Sequence, residues 1–121
     1  LEQVQLDTGK AYLEAGADAV IGAHSHCLQG MEYHEGKPII YSLGNYWFNE
    51  KTLDTMLLWL HFTGDDAQSR LTVQVIPAVQ EGYRTAYAAE EEQQRRIYDF
   101  LESISVNVEI SDEGIVMEEQ E

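Results

Sequence analysis

The sequence predicts an α/β fold, of the α+β kind with a mixed sheet. A helical pattern over residues 3–15 ends at Gly16 and leads directly into a short apolar run at 18–22, in the order of a helix, a tight turn and a buried strand. Strand patterns fill the middle of the chain, and a second amphipathic helix is predicted at 88–103. We expect one domain over residues 1–121 without an internal boundary, because no repeat or low-complexity linker interrupts it.

The first helix is predicted from the spacing of Leu6, Gly9, Lys10 and Leu13, with Gly16 as its left-handed cap. The run at 18–22 then forms a buried strand, and residues 23–27 follow its carboxyl end. Sites in α/β folds are commonly built in such loops.

The next segment has the pattern of a β-hairpin. Its strands are predicted at 29–33 and 38–43, and its turn at 34–37, where Gly36 supplies the unusual backbone angles. Pro38 opens the second strand, where a missing N–H is tolerated. Residues 42–45 are predicted to form a loop after that strand.

The second half of the chain contains two further strands, a helix and a hairpin. Residues 56–62 are apolar on both sides, which predicts a strand covered on both faces, whereas 70–77 alternate after a turn at 64–66. The helix at 88–103 carries an apolar stripe and an acidic first turn. A last hairpin pairs 106–110 with 115–117, and an acidic, frayed tail follows. One helix at each end cannot cover both faces of a sizeable sheet, so we expect another part of the protein to do so.

The composition is strongly acidic, with 22 acidic residues, 7 basic residues and a formal net charge of −15. Such a chain repels phosphate backbones, so nucleic acid is excluded as an expected partner. The charge indicates a well-solvated surface or, alternatively, a face that attracts cations. Cys27 is the only cysteine, and we expect it to be a small buried apolar residue rather than a nucleophile.

The clearest candidate for chemistry is the pair His24 and His26, which follows Gly22 and the predicted buried strand. Two histidines two positions apart in an extended loop project to the same side, and Gly22 would let the backbone approach an ion closely. The imidazoles could hold one divalent ion, or two ions ~3.5–4 Å apart as in two-metal hydrolases. Imidazole favours Mn, Fe or Zn over Ca or Mg alone.

The surrounding residues resemble the bacterial capsule-synthesis family of CapA type, whose members are associated with poly-γ-glutamate capsules. The similarity is carried by 15–26, 28–30 and 38–45, together with Phe48, and it is looser afterwards. The resemblance implies a calcineurin-like metallophosphatase fold, a two-sheet αββα sandwich flanked by helices. In that superfamily a Gly-His-x-His loop supplies two ligands of a binuclear centre, so His24 would bind one metal and His26 the other.

Two departures from the superfamily pattern are visible. Ala23 stands between Gly22 and His24, which is compatible with the family's own version of the loop. The superfamily's Asp-x-His, Gly-Asp-x-x-Asp and Gly-Asn-His ligand motifs are absent here. Two imidazoles cannot saturate even a four-coordinate ion. We therefore expect this sequence to be the C-terminal part of the catalytic domain, with the missing N-terminal half as its first partner.

Other polar and aromatic residues are weaker candidates. Ser42 and Asn45 could orient a bound anion or a metal-bound water, or could simply cap their loop. Tyr41 is expected in the core, His34 in a solvent-exposed turn, and His61 in the core with its ring nitrogens satisfied. Trp47 and Phe48 are expected in the core, with a pocket wall as the alternative.

Two functions follow as expectations from the resemblance. The complete protein would be a metal-dependent hydrolase acting on a phosphoester or related bond, or a non-catalytic assembly component of the capsule polymer machinery that contacts the polymer synthase. A cell-surface or membrane-associated extracellular location is implied by the resemblance alone. Alone, this chain is expected to be inactive and, because an incomplete sandwich exposes apolar surface, to self-associate or exchange strands.

Overall fold

The computed structural model describes residues 1–65 and 67–120. Its elements follow in chain order: α1 (Gln3–Glu14), β1 (Val20–Ile21), β2 (Met31–His34), β3 (Lys37–Ile40), β4 (Leu53–Gly64), β5 (Ser69–Glu81), β6 (Arg84–Tyr87), α2 (Glu91–Ser103), β7 (Val108–Ile110) and β8 (Ile115–Glu118). Neither helix is long and apolar enough to cross a membrane. The chain has the predicted α+β class and is consistent with part of an α/β sandwich.

The strands form two sheets, one mixed and one antiparallel, in agreement with the two-sheet arrangement that the resemblance implies. The smaller sheet has the order β1-β3-β2, with β1 parallel and β2 antiparallel to β3. The larger sheet has the order β4-β5-β8-β7, with β6 on β5, and is antiparallel throughout. Periodicity could not separate the sheets, because it reports which side of a strand is buried and not which strand is its neighbour.

Helix α1 packs on one side of the smaller sheet. Leu13 is buried against Ile39 and Tyr41. A Cβ added at Gly9 would lie 3.2 Å from Ile39, so the small residue lets the helix approach the strand closely. Gly16 follows the helix with φ of +117°, as a cap in the positive-φ region. The predicted helix, cap and strand therefore stand in the predicted order.

The hairpin of β2 and β3 turns at Glu35 and Gly36, which both have positive φ (53° and 79°). Two such residues twist a tight turn in the hand that antiparallel strands require. Gly36 was predicted for this reason, and Glu35 accepts the left-handed conformation beside it. The turn brings β3 between β1 and β2, where Ile39 and Ile40 are fully buried.

Strand β4 is not covered on both faces, which corrects the prediction from its apolar sequence. It pairs with β5 over its whole length in unbroken register, from Leu53 opposite Gln80 to Gly64 opposite Ser69. Met56 is buried in the main core, whereas Leu57, Trp59 and Phe62 are exposed. The apolar residues on the outer positions of β4 are not covered by any other element among the described residues. The apolar sequence therefore predicted more burial than this part of the chain provides.

The main core lies where α2, the larger sheet and the inner side of the smaller sheet meet. Its buried members include Met31, Ile40, Met56, Val73, Val75, Ala88, Ile97, Tyr98, Leu101, Val108, Ile110 and Val116. Ile97 and Leu101 carry the predicted stripe of α2, but Phe100 and Ile104 from the same stripe are exposed.

The second half differs from prediction in its boundaries. Strand β6 was absent from the predicted elements, and α2 begins at Glu91 rather than at residue 88 because residues 84–87 pair with β5. The tail is less frayed than expected, since the Glu119 N–H donates to the Asn107 carbonyl at 2.8 Å. The predicted turn at 64–66 includes Asp66, which lies outside the described residues.

Candidate metal-binding site

The histidine loop, residues 23–27, leaves the carboxyl end of β1 in an unusual backbone conformation. His24 and His26 have φ of 95° and 63°, so the loop is not extended as predicted. Positive φ is uncommon for residues with a Cβ and costs free energy of order 1–3 kcal/mol. Such strain tends to occur at functional sites, where the rest of the fold maintains it. The loop turns the two side chains to one region by backbone curvature rather than by strand alternation.

The two imidazoles lie close together and are open to solvent. Their ring centroids are 6.3 Å apart and tilted by 44°. Both residues are exposed, so an ion can approach them. Within 1–65 and 67–120, no group of three or more His, Cys, Asp or Glu side chains is arranged to hold an ion. The described residues thus bring together the predicted pair and no third such ligand.

Asn45 orients His26 through a side-chain contact. The Oδ1 atom of Asn45 lies 2.8 Å from Nδ1 of His26. An amide oxygen only accepts hydrogen bonds, so Nδ1 must carry the proton and donate it. In the neutral imidazole this leaves the lone pair on Nε2, the remaining ring nitrogen. A ligating histidine usually has this arrangement, with one nitrogen held by an outer hydrogen bond and the other free for the ion.

Phe48 supports the same imidazole from a second direction. Its ring centroid lies 4.6 Å from that of His26, with an interplanar angle of 40°. Because Phe48 belongs to the same loop as Asn45, one segment fixes both the hydrogen bond and the ring contact. Phe48 and Trp47 are exposed rather than in the core, which corrects the expectation for this pair.

Ser42 serves the turn that presents Asn45. It is buried, and its Oγ accepts a hydrogen bond from the N–H of Gly44 at 3.1 Å. Gly44 has φ of +74°, and a Cβ there would lie 3.1 Å from the backbone nitrogen of Leu28. The structure therefore places Asn45 in contact with the His26 imidazole. Ser42 lies behind Asn45 and caps the loop that carries it, through the hydrogen bond from Gly44.

Gly22 is required for close packing against the end of β3. A Cβ at this position would lie 2.3 Å from the carbonyl oxygen of Tyr41. The Gly22 N–H also donates to the Ile40 carbonyl at 2.7 Å. The histidine loop therefore starts from a point held tightly against β3 and the residue after it.

Tyr41 is in the core, as predicted, and is part of a buried polar contact. Its hydroxyl donates to Glu32 at 2.8 Å, and Lys10 lies 3.9 Å from the same carboxylate. Burial first, and then the hydrogen bond and the negative charge of Glu32, raise the pKa of the Tyr41 phenol above its ordinary range.

The solvent exposure of three other residues differs from the prediction. Cys27 is exposed rather than buried. His34 ends β2 and is only partly exposed; its Nε2 lies 3.5 Å from Glu14 and makes no hydrogen bond among the described residues. His61 is half-buried rather than in the core, although it is satisfied: Nε2 lies 3.0 Å from the Gln74 oxygen, and its ring stacks on Trp59. A periodic apolar pattern does not reveal which strand face lacks a covering layer.

Sequence reasoning missed Gln80, a buried polar residue that contacts the loop carrying Asn45 and Phe48. Its signal was a glutamine inside the apolar run of β5, at a position whose side-chain direction alternation predicts. Its partners lie about 30 positions earlier in an irregular loop, which no periodic pattern can indicate.

Comparisons with known proteins agree with the resemblance drawn from the motifs. Residues 1–50, which include the histidine loop, Ser42 and Asn45, match the family described as bacterial capsule synthesis protein PGA_cap. The PGA biosynthesis protein CapA of Bacillus subtilis is 38% identical over 60 residues, 47% of this chain and 16% of that protein.

Two further relatives match shorter segments. The capsule biosynthesis protein CapA of Bacillus anthracis is 40% identical over 55 residues, 43% of this chain and 13% of that protein. Protein y4sH of Sinorhizobium fredii is 45% identical over 38 residues, 31% of this chain and 8% of that protein. The chain thus spans less than a fifth of the length of each relative. Over its first 50 residues it is similar to the bacterial capsule synthesis family PGA_cap and to the CapA proteins of Bacillus.

Proposed function

We propose that the complete protein is a metal-dependent hydrolase of capsule synthesis, in which His24 and His26 supply two ligands to a divalent-metal centre. The reaction is the hydrolysis of a phosphoester or a related bond. The single observation that carries the proposal is the contact between His26 Nδ1 and Asn45 Oδ1 at 2.8 Å, because it leaves the Nε2 lone pair for an ion.

The residues present fit a divalent ion of the Mn, Fe or Zn class. Both imidazoles are exposed, and their centroids are 6.3 Å apart, near enough for one ion or two neighbouring ions. Neutral imidazole is a good ligand for these metals. The strained backbone at both histidines also supports a role beyond packing, since a loop without a function gains nothing from this cost.

Each residue has a separate task in this proposal. His24 and His26 hold the centre, Asn45 keeps the proton of His26 on Nδ1, and Phe48 shields one side of that ring from water. A bound divalent ion would act as a Lewis acid and lower the pKa of a coordinated water, which is the chemistry that hydrolysis needs. The remaining ligands come from a part of the protein outside these 121 residues, in a metallophosphatase-like sandwich.

Charge bears on the substrate. A chain with net charge −15 repels a polyanion such as poly-γ-glutamate at low salt. Divalent ions that bridge the two, or a basic surface elsewhere in the protein, would remove this conflict. The charge therefore does not identify the substrate, and the phosphoester or related bond is assigned from the proposed metal centre.

A second candidate is an assembly role without hydrolysis, on the surface of the cell and in contact with the polymer synthase. The observation that favours it is the exposed apolar surface of β4, with Leu57 and Trp59 on its outer face and Phe62 near its end on the other face, which is suited to contact with another protein surface. The relatives from Bacillus are also named for biosynthesis rather than for a reaction.

The first experiment measures the metal content of the complete protein, purified without chelator, beside a variant that combines His24→Ala with His26→Ala. About two ions per chain in the parent, lost or halved in the variant, support the binuclear centre. Metal contents that do not differ between the two proteins overturn the role of the histidine pair. A His61→Ala protein is the matched control, because that imidazole bonds to Gln74 on the larger sheet.

A strain experiment then separates catalysis from assembly. The gene is deleted in the organism that encodes the protein, and either the parent or the double histidine variant is restored. Polymer production that returns only with the parent supports hydrolysis at the centre. Full rescue by the variant would transfer the function to assembly.

A further inference from the structure

The segment that holds His26 in place has almost no regular structure of its own. We call residues 43–51 the strap; apart from a single bridge between Leu28 and Leu43, it contains no helix or strand. It carries both groups that touch the imidazole, Asn45 at Nδ1 and the ring of Phe48. A segment without its own backbone ladder needs partners elsewhere to keep one conformation.

Gln80 supplies most of those partners at the far end of the strap. Its Oε1 accepts from the Phe48 N–H at 2.7 Å, and its Nε2 donates to Asn49 Oδ1 at 3.2 Å and to the Lys51 carbonyl at 2.9 Å. The residue is fully buried, with 0% exposure. A buried amide with three such bonds is costly to replace, because the groups it leaves behind lose their partners away from water.

The other hydrogen bonds that hold the strap are made by residues other than Phe48. Thr55 bonds to the Leu43 carbonyl at 2.9 Å and holds the beginning of the strap. Trp47 donates to the Tyr83 carbonyl at 2.7 Å, and Thr85 donates to the Tyr46 carbonyl, which hold its exposed middle. The Phe48 backbone, two bonds from the side chain that contacts His26, is held by Gln80.

We propose that Gln80 is a positioning residue of the histidine site: by fixing Phe48 and the end of the strap, it keeps Asn45 on Nδ1 and so fixes the tautomer of His26. The role of this tautomer in metal binding rests on the proposed function, whereas the positioning of His26 by Gln80 does not. Gln80 lies beyond residues 1–50, the segment that matches the family, so the second half of the chain contributes to the site of the first.

The experiment uses Gln80→Met, which keeps the length and unbranched shape of the side chain and removes all three bonds. The protein is labelled with 15N-histidine, kept free of metal, and studied by long-range proton–nitrogen NMR at one fixed alkaline pH. Histidine signals are assigned from single histidine substitutions. In the parent we expect His26 to carry its proton on Nδ1 and its ring protons to be shifted upfield by the Phe48 ring. In Gln80→Met we expect the Nδ1–H fraction to fall and the upfield shift to be lost.

Gln74→Met is the matched control. Gln74 lies on the same strand, bonds to His61 and donates to the Glu113 carbonyl at 3.0 Å, and makes no hydrogen bond to the strap among the described residues. We expect this substitution to change the signals of His61 and to leave those of His26 unmoved. A general loss of stability would instead move both histidines in both variants, so the crossed pattern separates positioning from a merely structural role.

A milder variant keeps the proposal testable if Gln80→Met does not fold. Asn49→Ala removes one partner of Gln80 from the partly exposed strap, together with the Asn49 bond from the Lys51 N–H at 3.0 Å. We expect a smaller change of the same kind at His26. If a folded Gln80→Met protein, or Asn49→Ala in its place, retains the His26 tautomer and ring shift of the parent, the proposal is overturned.

A zinc chloride titration of the same proteins distinguishes the two proposals. Weaker zinc binding in Gln80→Met than in Gln74→Met supports both. Absence of zinc binding by the parent counts against the proposed function alone, because the tautomer measurement is made without metal and still decides the role of Gln80.

Discussion

Asn45 accepts a hydrogen bond from His26 at 2.8 Å, although the two residues are 19 positions apart. One lies in the histidine loop after β1 and the other in the strap after β3. Since β1 and β3 are parallel neighbours, their carboxyl ends meet at one edge of the smaller sheet, and the loops that follow them are adjacent. The contact is thus a consequence of sheet topology and not of sequence proximity.

The first prediction concerns Asn45→Leu in the complete protein. The substitution removes the acceptor for Nδ1 and keeps a side chain of similar size, so His26 loses its outer hydrogen bond. Loss of such a partner weakens metal affinity by about 10–100-fold. We expect this decrease for zinc or manganese in competition with a chelator of known affinity.

Asn45→Asp is the control, since its carboxylate still accepts from Nδ1. We expect it to retain metal affinity within a few fold or to strengthen it. If both variants bind metal with the same affinity as the parent, the contact between Asn45 and His26 does not contribute to metal binding.

Several elements of both sheets could be predicted because their signals are local. Gly16 marks the end of α1, Gly36 marks the turn between β2 and β3, and the alternation of β5 is correct. The residue pattern alone did not predict the arrangement of strands into two sheets, because it depends on pairings between distant segments as well as on local hairpins. For example, β8 pairs with β5 across the whole of α2, and no local pattern records that choice.

The candidate site could be predicted in its residues but not in its geometry. His24, His26 and Asn45 were identified from type and context, yet the extended loop was wrong because positive φ at a histidine has no signal in the sequence. Gln80 was missed because two of its three partners are backbone groups, which every residue type offers equally, and the third is an asparagine in a distant loop.

The second prediction concerns Tyr41→Phe. The phenol donates to Glu32, which is itself buried, so its removal leaves a carboxylate oxygen without this partner. We expect a loss of about 1–3 kcal/mol in the free energy of unfolding at neutral pH. Urea denaturation measures it, and Tyr12→Phe, on the exposed side of α1, should change the free energy by less than about 0.5 kcal/mol.

The pH dependence of the same contact forms a third prediction. The pKa of Tyr41 is raised in the folded state by burial and by Glu32, so the folded protein holds the phenolic proton more tightly than the unfolded chain does. The stabilisation is complete below the unfolded pKa of about 10 and declines as the pH rises above it. We expect the free energy of unfolding to fall less steeply between about pH 9.5 and 11 in Tyr41→Phe than in the parent. Equal slopes would contradict this assignment.

The fourth prediction concerns Arg96 of α2 and Asp54 of β4. The guanidinium makes two parallel bonds to the carboxylate, at 2.8 and 2.9 Å, and this hydrogen-bonded partner raises the pKa of Arg96. The pair is partly exposed, so we expect a coupling of only about 0.5–1 kcal/mol. A double-mutant cycle with Arg96→Gln and Asp54→Asn measures it, and the coupling should decrease in high salt. A coupling that is absent at low salt would show that the ion pair between Arg96 and Asp54 does not stabilise the packing of α2 on β4.

The last prediction concerns the free edge and apolar side of β4. The strand is 12 residues long, lies at the end of its sheet, and exposes Leu57, Trp59 and Phe62. A long edge strand with exposed apolar side chains is a template for pairing with another chain. We expect the isolated 121-residue chain to self-associate through pairing of β4 with β4 of a second copy.

Sedimentation velocity over a range of concentrations measures this association. Combining Trp59→Lys with Phe62→Lys places charges on the edge strand, so the variant should remain monomeric where the parent associates. Trp47→Lys is the matched control, because Trp47 is exposed to a similar degree, 63% against 57% for Trp59, but lies on the strap and not on β4. Association that persists in the double variant and disappears in Trp47→Lys would show that the strap, and not β4, forms the contact. The second copy would then lie beside His26 instead of on the open sheet.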